Sequence, residues 1–159
     1  MSTNTDLMLS GFALRAAGFL LLLLMLSMLL ISCSRQPQYP EARRSADSVV
    51  LDASALQPEV PAYYSYSHNG IRINFFIVKL DDRVVSFLDA CMKCYAKKLG
   101  FRSENGMVVC RSCNEKYPVT EIEKGFGSCY PVKIEGRLDG TSYSIPAETL
   151  ERVGERFFR

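Results

Sequence analysis

The chain opens on a block with no periodicity at all. Residues 16–34 carry no charge, and residues 19–31 read FLLLLLMLSMLLI. A helix this apolar on every side suits lipid or a targeting channel, not the surface of a soluble domain. Its thirteen residues fit the apolar region of a signal peptide, and the flanking small residues bring it close to the roughly 20 residues a membrane span needs. A polar, proline-containing stretch follows over 34–48, with few apolar positions, and reads as a flexible spacer. Apolar pattern resumes at Val49-Val50-Leu51.

From there the pattern is that of strands. Residues 63–66 and 71–80 flank Asn69-Gly70, a pair suited to the positive backbone angles of a tight hairpin turn. In the second strand Ile71, Ile73, Phe75 and Ile77 alternate with Arg72, Asn74 and Phe76, which predicts one buried face. Asp81-Asp82 predicts a turn into a third strand over 84–88. Further on, residues 132–134 and 141–145 flank Asp139-Gly140 as a second hairpin, and Pro146 suits the first turn of a helix to about Arg152. Phe157-Phe158 is expected to dock on the core. The predicted fold is a small, mainly β (α+β) domain, with hairpins around a zinc-ribbon-like or rubredoxin-like site of four cysteines. A short C-terminal helix closes it, and the N-terminal apolar helix precedes it.

The division is then 1–33 as a lipoprotein signal peptide or membrane anchor, 34–48 as linker, and 49–159 as the folded domain. Leu30-Ile31-Ser32-Cys33 is similar to the lipobox of bacterial lipoproteins, which makes Cys33 a candidate for lipidation; an uncleaved helix is the alternative. In both cases the residues after 35 are expected outside the cytoplasm. The net charge of +2 and the lack of long Lys/Arg runs argue against a nucleic-acid partner. His68 is the single histidine. It stands next to a hairpin turn and is expected to be exposed, with no companion ligand. No triad motif surrounds it, so no catalytic residue and no enzyme activity are expected.

Chemistry concentrates in the cysteines. Apart from Cys33, all of the six lie between positions 91 and 129. Cys91-Met-Lys-Cys94 and Cys110-Arg-Ser-Cys113 are separated by fifteen residues, the spacing of a four-thiolate metal site. Two residues between cysteines let a tight turn aim both sulfurs at one point, and two such turns supply a tetrahedron of soft ligands. Asn114 suits the left-handed conformation that follows such a turn. Cys129, in Gly127-Ser-Cys-Tyr-Pro131, is a candidate additional ligand, a redox cysteine, or a small core residue. Two short disulfides, or one redox-active pair, remain the alternative. Only Arg15 precedes the apolar run within the leader's basic region, so no twin-arginine signal for folded export is present. Metal would therefore be loaded outside, which favours a simple ion over an iron–sulfur cluster unless the centre is built after translocation.

Asp89-Ala-Cys91-Met-Lys-Cys94-Tyr95, Val109-Cys110-Arg-Ser-Cys113, Tyr117-Pro118 and Gly127-Ser-Cys129-Tyr-Pro131 resemble the FtrD-like family of membrane iron–sulfur-containing domains. The lead-in Asn69-Gly70 and Phe75-Phe-Ile-Val-Lys79 resemble it too, so that the similarity covers about positions 49–158. The resemblance implies extracytoplasmic iron handling and Cys91, Cys94, Cys110 and Cys113 as metal ligands. It implies an iron–sulfur cluster or iron ion, with zinc as the alternative metal. The family's third cysteine motif reads Gly-Gly-Cys-Asn-Pro; here Ser128 and Tyr130 replace the second Gly and the Asn. Some members carry a multi-span membrane portion, absent from this chain, so a role in uptake calls for a membrane-embedded iron-transport partner. Tyr95, Phe101 and Tyr117 are expected to shield the centre and tune its potential. A membrane-tethered metal carrier or electron-transfer component of iron uptake is thus expected, with a structural zinc module for protein–protein contact, or a thiol–disulfide redox protein, as other readings.

Overall fold

The computed structural model describes residues 39–159 apart from positions 82, 125 and 126. The apolar segment, Cys33 and the first part of the expected linker lie outside the described residues. The described part is mainly β, with one α-helix at its C-terminal end.

Strands β1 (Arg43–Ser45) and β2 (Ser48–Asp52) form an antiparallel hairpin, Ser45 opposite Ser48. Residues 39–48, expected as spacer, therefore belong to the folded part. The Ala42 amide donates to the Ser65 carbonyl at 2.7 Å, and the Ser65 amide donates to the Pro40 carbonyl at 3.0 Å. A polar stretch with few apolar positions has no period to read, yet these backbone bonds hold it against a neighbouring strand.

Next comes a meander of β3 (Ala62–His68), β4 (Ile71–Leu80) and β5 (Arg83–Cys91). His68 pairs with Ile71 across Asn69 and Gly70, whose φ angles are +49° and +76°. That is the expected turn, with both central residues at positive φ. β9 (Pro131–Ile134) completes this sheet by pairing with β5, giving the order β3-β4-β5-β9. The second predicted hairpin is corrected here. Its first arm is β10 (Arg137–Asp139), not residues 132–134, and it pairs with β11 (Ser142–Pro146). Ile134 is instead buried in the core, where its carbonyl accepts a bond from Ser86 Oγ at 2.8 Å. β11 pairs on its other side with β2, so that another sheet runs β1-β2-β11-β10.

The expectation of a single buried face on β4 is also corrected. Ile73, Phe75 and Ile77 pack into one apolar cluster with Val49, Tyr143 and Leu150. Phe76, Val78 and Leu80, on the opposite face, pack into a second with Phe87, Phe101 and Val108. Alternation alone cannot register a layer on the far side of a strand. That far layer is the hairpin β6 (Phe101–Glu104) and β7 (Met107–Cys110) with β8 (Lys116–Pro118), followed by a 3-10 turn over Val119–Lys124. Asn105 and Gly106 make its turn, with φ of +51° and +73°.

The helix α1 (Ala147–Phe158) begins after Pro146 at the N-cap and runs past the expected end at Arg152. Leu150, Gly154 and Phe157 form a buried stripe at helical spacing, which draws the last turn onto the core. Phe157 is docked as expected.

Candidate metal centre

Three segments converge at the end of the central sheet that carries Cys91. The first is the end of β5. Cys91 is its last residue, and the Cys94 amide donates back to the Cys91 carbonyl at 3.1 Å to close a turn. The second is the end of β7. Cys110 is its last residue, the Asn114 amide donates to the Cys110 carbonyl at 2.9 Å, and Asn114 sits at φ +63° as expected. The third is the loop entering β9. Cys91 lies opposite Pro131, and the Met92 amide donates to the Tyr130 carbonyl at 2.9 Å, which brings Cys129 alongside the first turn. The Tyr117 hydroxyl, buried, donates to the Cys129 carbonyl and fixes that loop from the β8 side.

All five of these thiols are free and near one another. The sulfurs of Cys91, Cys94, Cys110 and Cys129 lie within 4.8 Å of each other. Cys129 Sγ is 3.1 Å from Cys91 Sγ and 2.9 Å from Cys113 Sγ. Cys91, Cys110 and Cys129 are buried, Cys94 is half-buried, and Cys113 is exposed. The two paired turns thus face one point, as their spacing predicts. The compact group of four, however, contains Cys129 where the sequence reading placed Cys113.

A buried acid braces this arrangement. Asp89, 5% exposed, points to the same side of β5 as Phe87 and Cys91. It accepts the Phe101 amide at 2.6 Å and the Tyr39 hydroxyl. Gly100 beside it has no room for a side chain, since a Cβ there would stand 2.2 Å from Oδ2 of Asp89. The same loop is tied to the second cysteine turn, because the Arg111 amide donates to the Gly100 carbonyl at 3.0 Å and Arg111 Nε donates to the Phe101 carbonyl at 2.9 Å. Asp89 is therefore the anchor between β5 and the start of β6, and it fixes how the two cysteine turns sit relative to each other. Burial pushes its carboxyl up to about 6, against the bonds from Tyr39 and Phe101 and the nearby Arg111 charge.

The thiols divide by environment. Burial raises Cys91, pushes Cys110 up to about 11, and pushes Cys129 up to about 12 with help from its contacts to Cys113 and Cys91. At Cys113 burial is the largest single influence and acts upward, but hydrogen bonds from Cys129, the Glu115 amide, Cys110 and Cys94 together outweigh it, and the thiol falls to about 7. One thiol of the group is thus held low by its protonated neighbours, and a thiophilic cation binding there would displace the protons of the others.

The donor set fits such a cation. A tetrahedral ion with metal–sulfur bonds of about 2.3 Å sets its sulfurs about 3.8 Å apart, inside the 4.8 Å span of the group and above its 3.1 Å closest contact. No histidine or carboxylate belongs to the group among the described residues. A pure thiolate set of this kind selects zinc or iron over calcium or magnesium. Ser112 Oγ, inside the second turn, is buried with no partner, and is free to donate to a metal-bound sulfur.

The family model described as membrane iron-sulfur containing protein FtrD-like matches residues 56–157. The chain belongs to this FtrD-like family. The matched stretch runs from the start of the central meander to the end of α1 and includes all five clustered cysteines. No curated protein and no solved structure matches the chain.

Within this FtrD-like domain the other expected site residues divide. Phe101 is fully buried against the cysteine cluster, and Tyr117 is buried with its hydroxyl on the Cys129 loop. Tyr95 is 38% exposed and packs edge-on against Phe157, so it covers the helix end more than the sulfurs. His68 is half-buried, not exposed. Its Nδ1 is 3.1 Å from Glu151 and its Nε2 faces the Asn69 side-chain amide, so it serves the β3–α1 contact. Asp89 and Tyr39 carried no metal signal in the sequence, because neither is a soft donor; only the position of Asp89 two residues before Cys91 hinted at a structural partner.

Proposed function

We propose that this is a membrane-associated iron-binding protein of the FtrD-like family, in which cysteine thiolates hold one iron that serves iron acquisition outside the cytoplasm. The observation that carries it is the convergence of four sulfurs within 4.8 Å in a chain whose family is one of membrane iron–sulfur proteins. The compactness of the group supports a single iron. In a cluster the four thiolates are divided among two or four irons, which sets the sulfurs on different irons further apart. Cys91, Cys94, Cys110 and Cys129 would hold the ion. When bound, a thiolate-ligated iron supplies a one-electron redox couple, whose potential responds to hydrogen bonds on the sulfurs and to burial.

The protein contributes the surroundings. Phe101 and Tyr117 exclude water from the buried sulfurs. The Tyr117 hydroxyl holds the Cys129 loop, and Asp89 holds the two turns in register. The apolar segment over residues 16–34, or a lipid on Cys33, would tether the domain to the membrane. Among the described residues no helix is long and apolar enough to cross a membrane. Handing iron or electrons onward would fall to a membrane-embedded transport partner.

The test is visible absorption and metal content of the full chain purified without air from its native membrane. An iron-dependent thiolate band that disappears in Cys110→Ser is the expected result. A colourless protein carrying zinc alone would overturn the iron assignment.

A further inference from the structure

Five thiols surround a site that needs four. A tetrahedral ion takes four ligands, and the compact group supplies them as Cys91, Cys94, Cys110 and Cys129. Cys113 is left over, and it differs from the rest in two respects. It is the exposed thiol among the five, and its sulfur stands 2.9 Å from that of Cys129. The spare sulfur is thus placed between solvent and the buried group, touching the group.

We propose that Cys113 is the exchange ligand through which a thiophilic ion enters and leaves the four-cysteine site. This rests on the reading of the cluster as a metal centre. Three buried thiolates and a half-buried fourth around an ion leave an incoming chelator or partner a narrow line of attack. A fifth thiolate within the same shell opens another by displacing a resident sulfur from inside. On release, the Cys113 sulfur would take the place of the Cys129 sulfur on the ion, the Cys113 thiol giving its proton to the departing Cys129 sulfur 2.9 Å away. Loading runs the same exchange in reverse. One metal–sulfur bond forms, one breaks, one proton changes sulfur, and no electron moves. The two sulfurs are 2.9 Å apart, so the ion changes ligand over a short distance. The exposed position leaves the ion on Cys113 within reach of an external ligand.

The experiment uses the full chain in detergent, reduced and free of air, with Co(II) as the probe, and compares wild type, Cys113→Ser and Cys129→Ser. Cys113→Ser is expected to bind one Co(II) with the four-thiolate absorption of wild type, but to lose it to excess chelator more slowly by roughly an order of magnitude. Cys129→Ser is expected to lose the four-thiolate spectrum. The proposal is overturned if Cys113→Ser loses that spectrum while Cys129→Ser keeps it, which makes Cys113 a resident ligand. It is equally overturned if Cys113→Ser releases cobalt at the wild-type rate. Wild type that takes up no Co(II) would sink the metal-centre reading itself, whereas Co(II) binding by a chain that carries no iron from the membrane would sink only the choice of iron.

Discussion

At the scale of single residues, Asp89 shows how a carboxylate outside the group of thiols can fix the geometry of a cysteine cluster. Its carboxylate joins β5 to the start of β6, and burial pushes it up to about 6. A folded value above the ordinary carboxylate value of about 3.9 means that, between those two, the folded chain holds a proton the unfolded chain has lost. This group's contribution to stability is therefore full below about pH 4 and falls as pH rises to about 6, then stays level. Asp89→Asn keeps an acceptor for the Phe101 amide and removes the charge. Relative to wild type it is expected to gain stability from pH 4 to 6, by on the order of 2 kcal/mol, in urea midpoints measured across that range. A constant difference at every pH would contradict the buried ionisation. Gly100→Ala forces a methyl against the same carboxylate at a backbone φ of +66°. It is expected to destabilise by roughly 2 kcal/mol or more in chemical denaturation; an unchanged midpoint would show that Asp89 can move aside.

At the scale of elements, α1 sets helix propensity against packing. Gly154 lies in its interior, where alanine usually adds about 1 kcal/mol. Here a Cβ would stand 2.3 Å from Ile73 Cδ1 of β4. Overpacking a core costs roughly 1–3 kcal/mol, so Gly154→Ala is expected to lower the thermal midpoint despite its better propensity. A rise would mean that Ile73 finds another rotamer at little cost. The same contrast explains what was legible beforehand. Turns that depend on two adjacent residues read well, as Asn69-Gly70 and Asn114 show. Asn105-Gly106 carried the same signal, between short flanks in the loop joining the cysteine pairs, and it marks the β6–β7 hairpin. Pairings that depend on distant strands did not read. The partner of residues 131–134 is β5, some forty positions earlier, and a local pattern contains no information about which of two hairpin arms a strand will choose. The position of Cys129 follows from that pairing. Its placement in the group of four could not be seen from the spacing of the two Cys-x-x-Cys pairs alone.

For the whole described domain, the cysteine cluster joins segments that are far apart in sequence, residues 91–94, 110–113 and 129. It sits on the second face of the central sheet, opposite the core shared with α1. An ion bound there closes loops between β5, β7 and the entry to β9, so binding free energy becomes folding free energy. Adding metal to the reduced chain is expected to raise the thermal midpoint with the logarithm of free metal, and Cys91→Ser is expected to abolish that dependence. A midpoint indifferent to metal would mean the sulfurs do not share an ion. The most direct measurement is iron, zinc and acid-labile sulfide per chain, determined on protein taken without air from its own membrane. One iron with no inorganic sulfide is the predicted result, and zinc alone, or no metal at all, would contradict it.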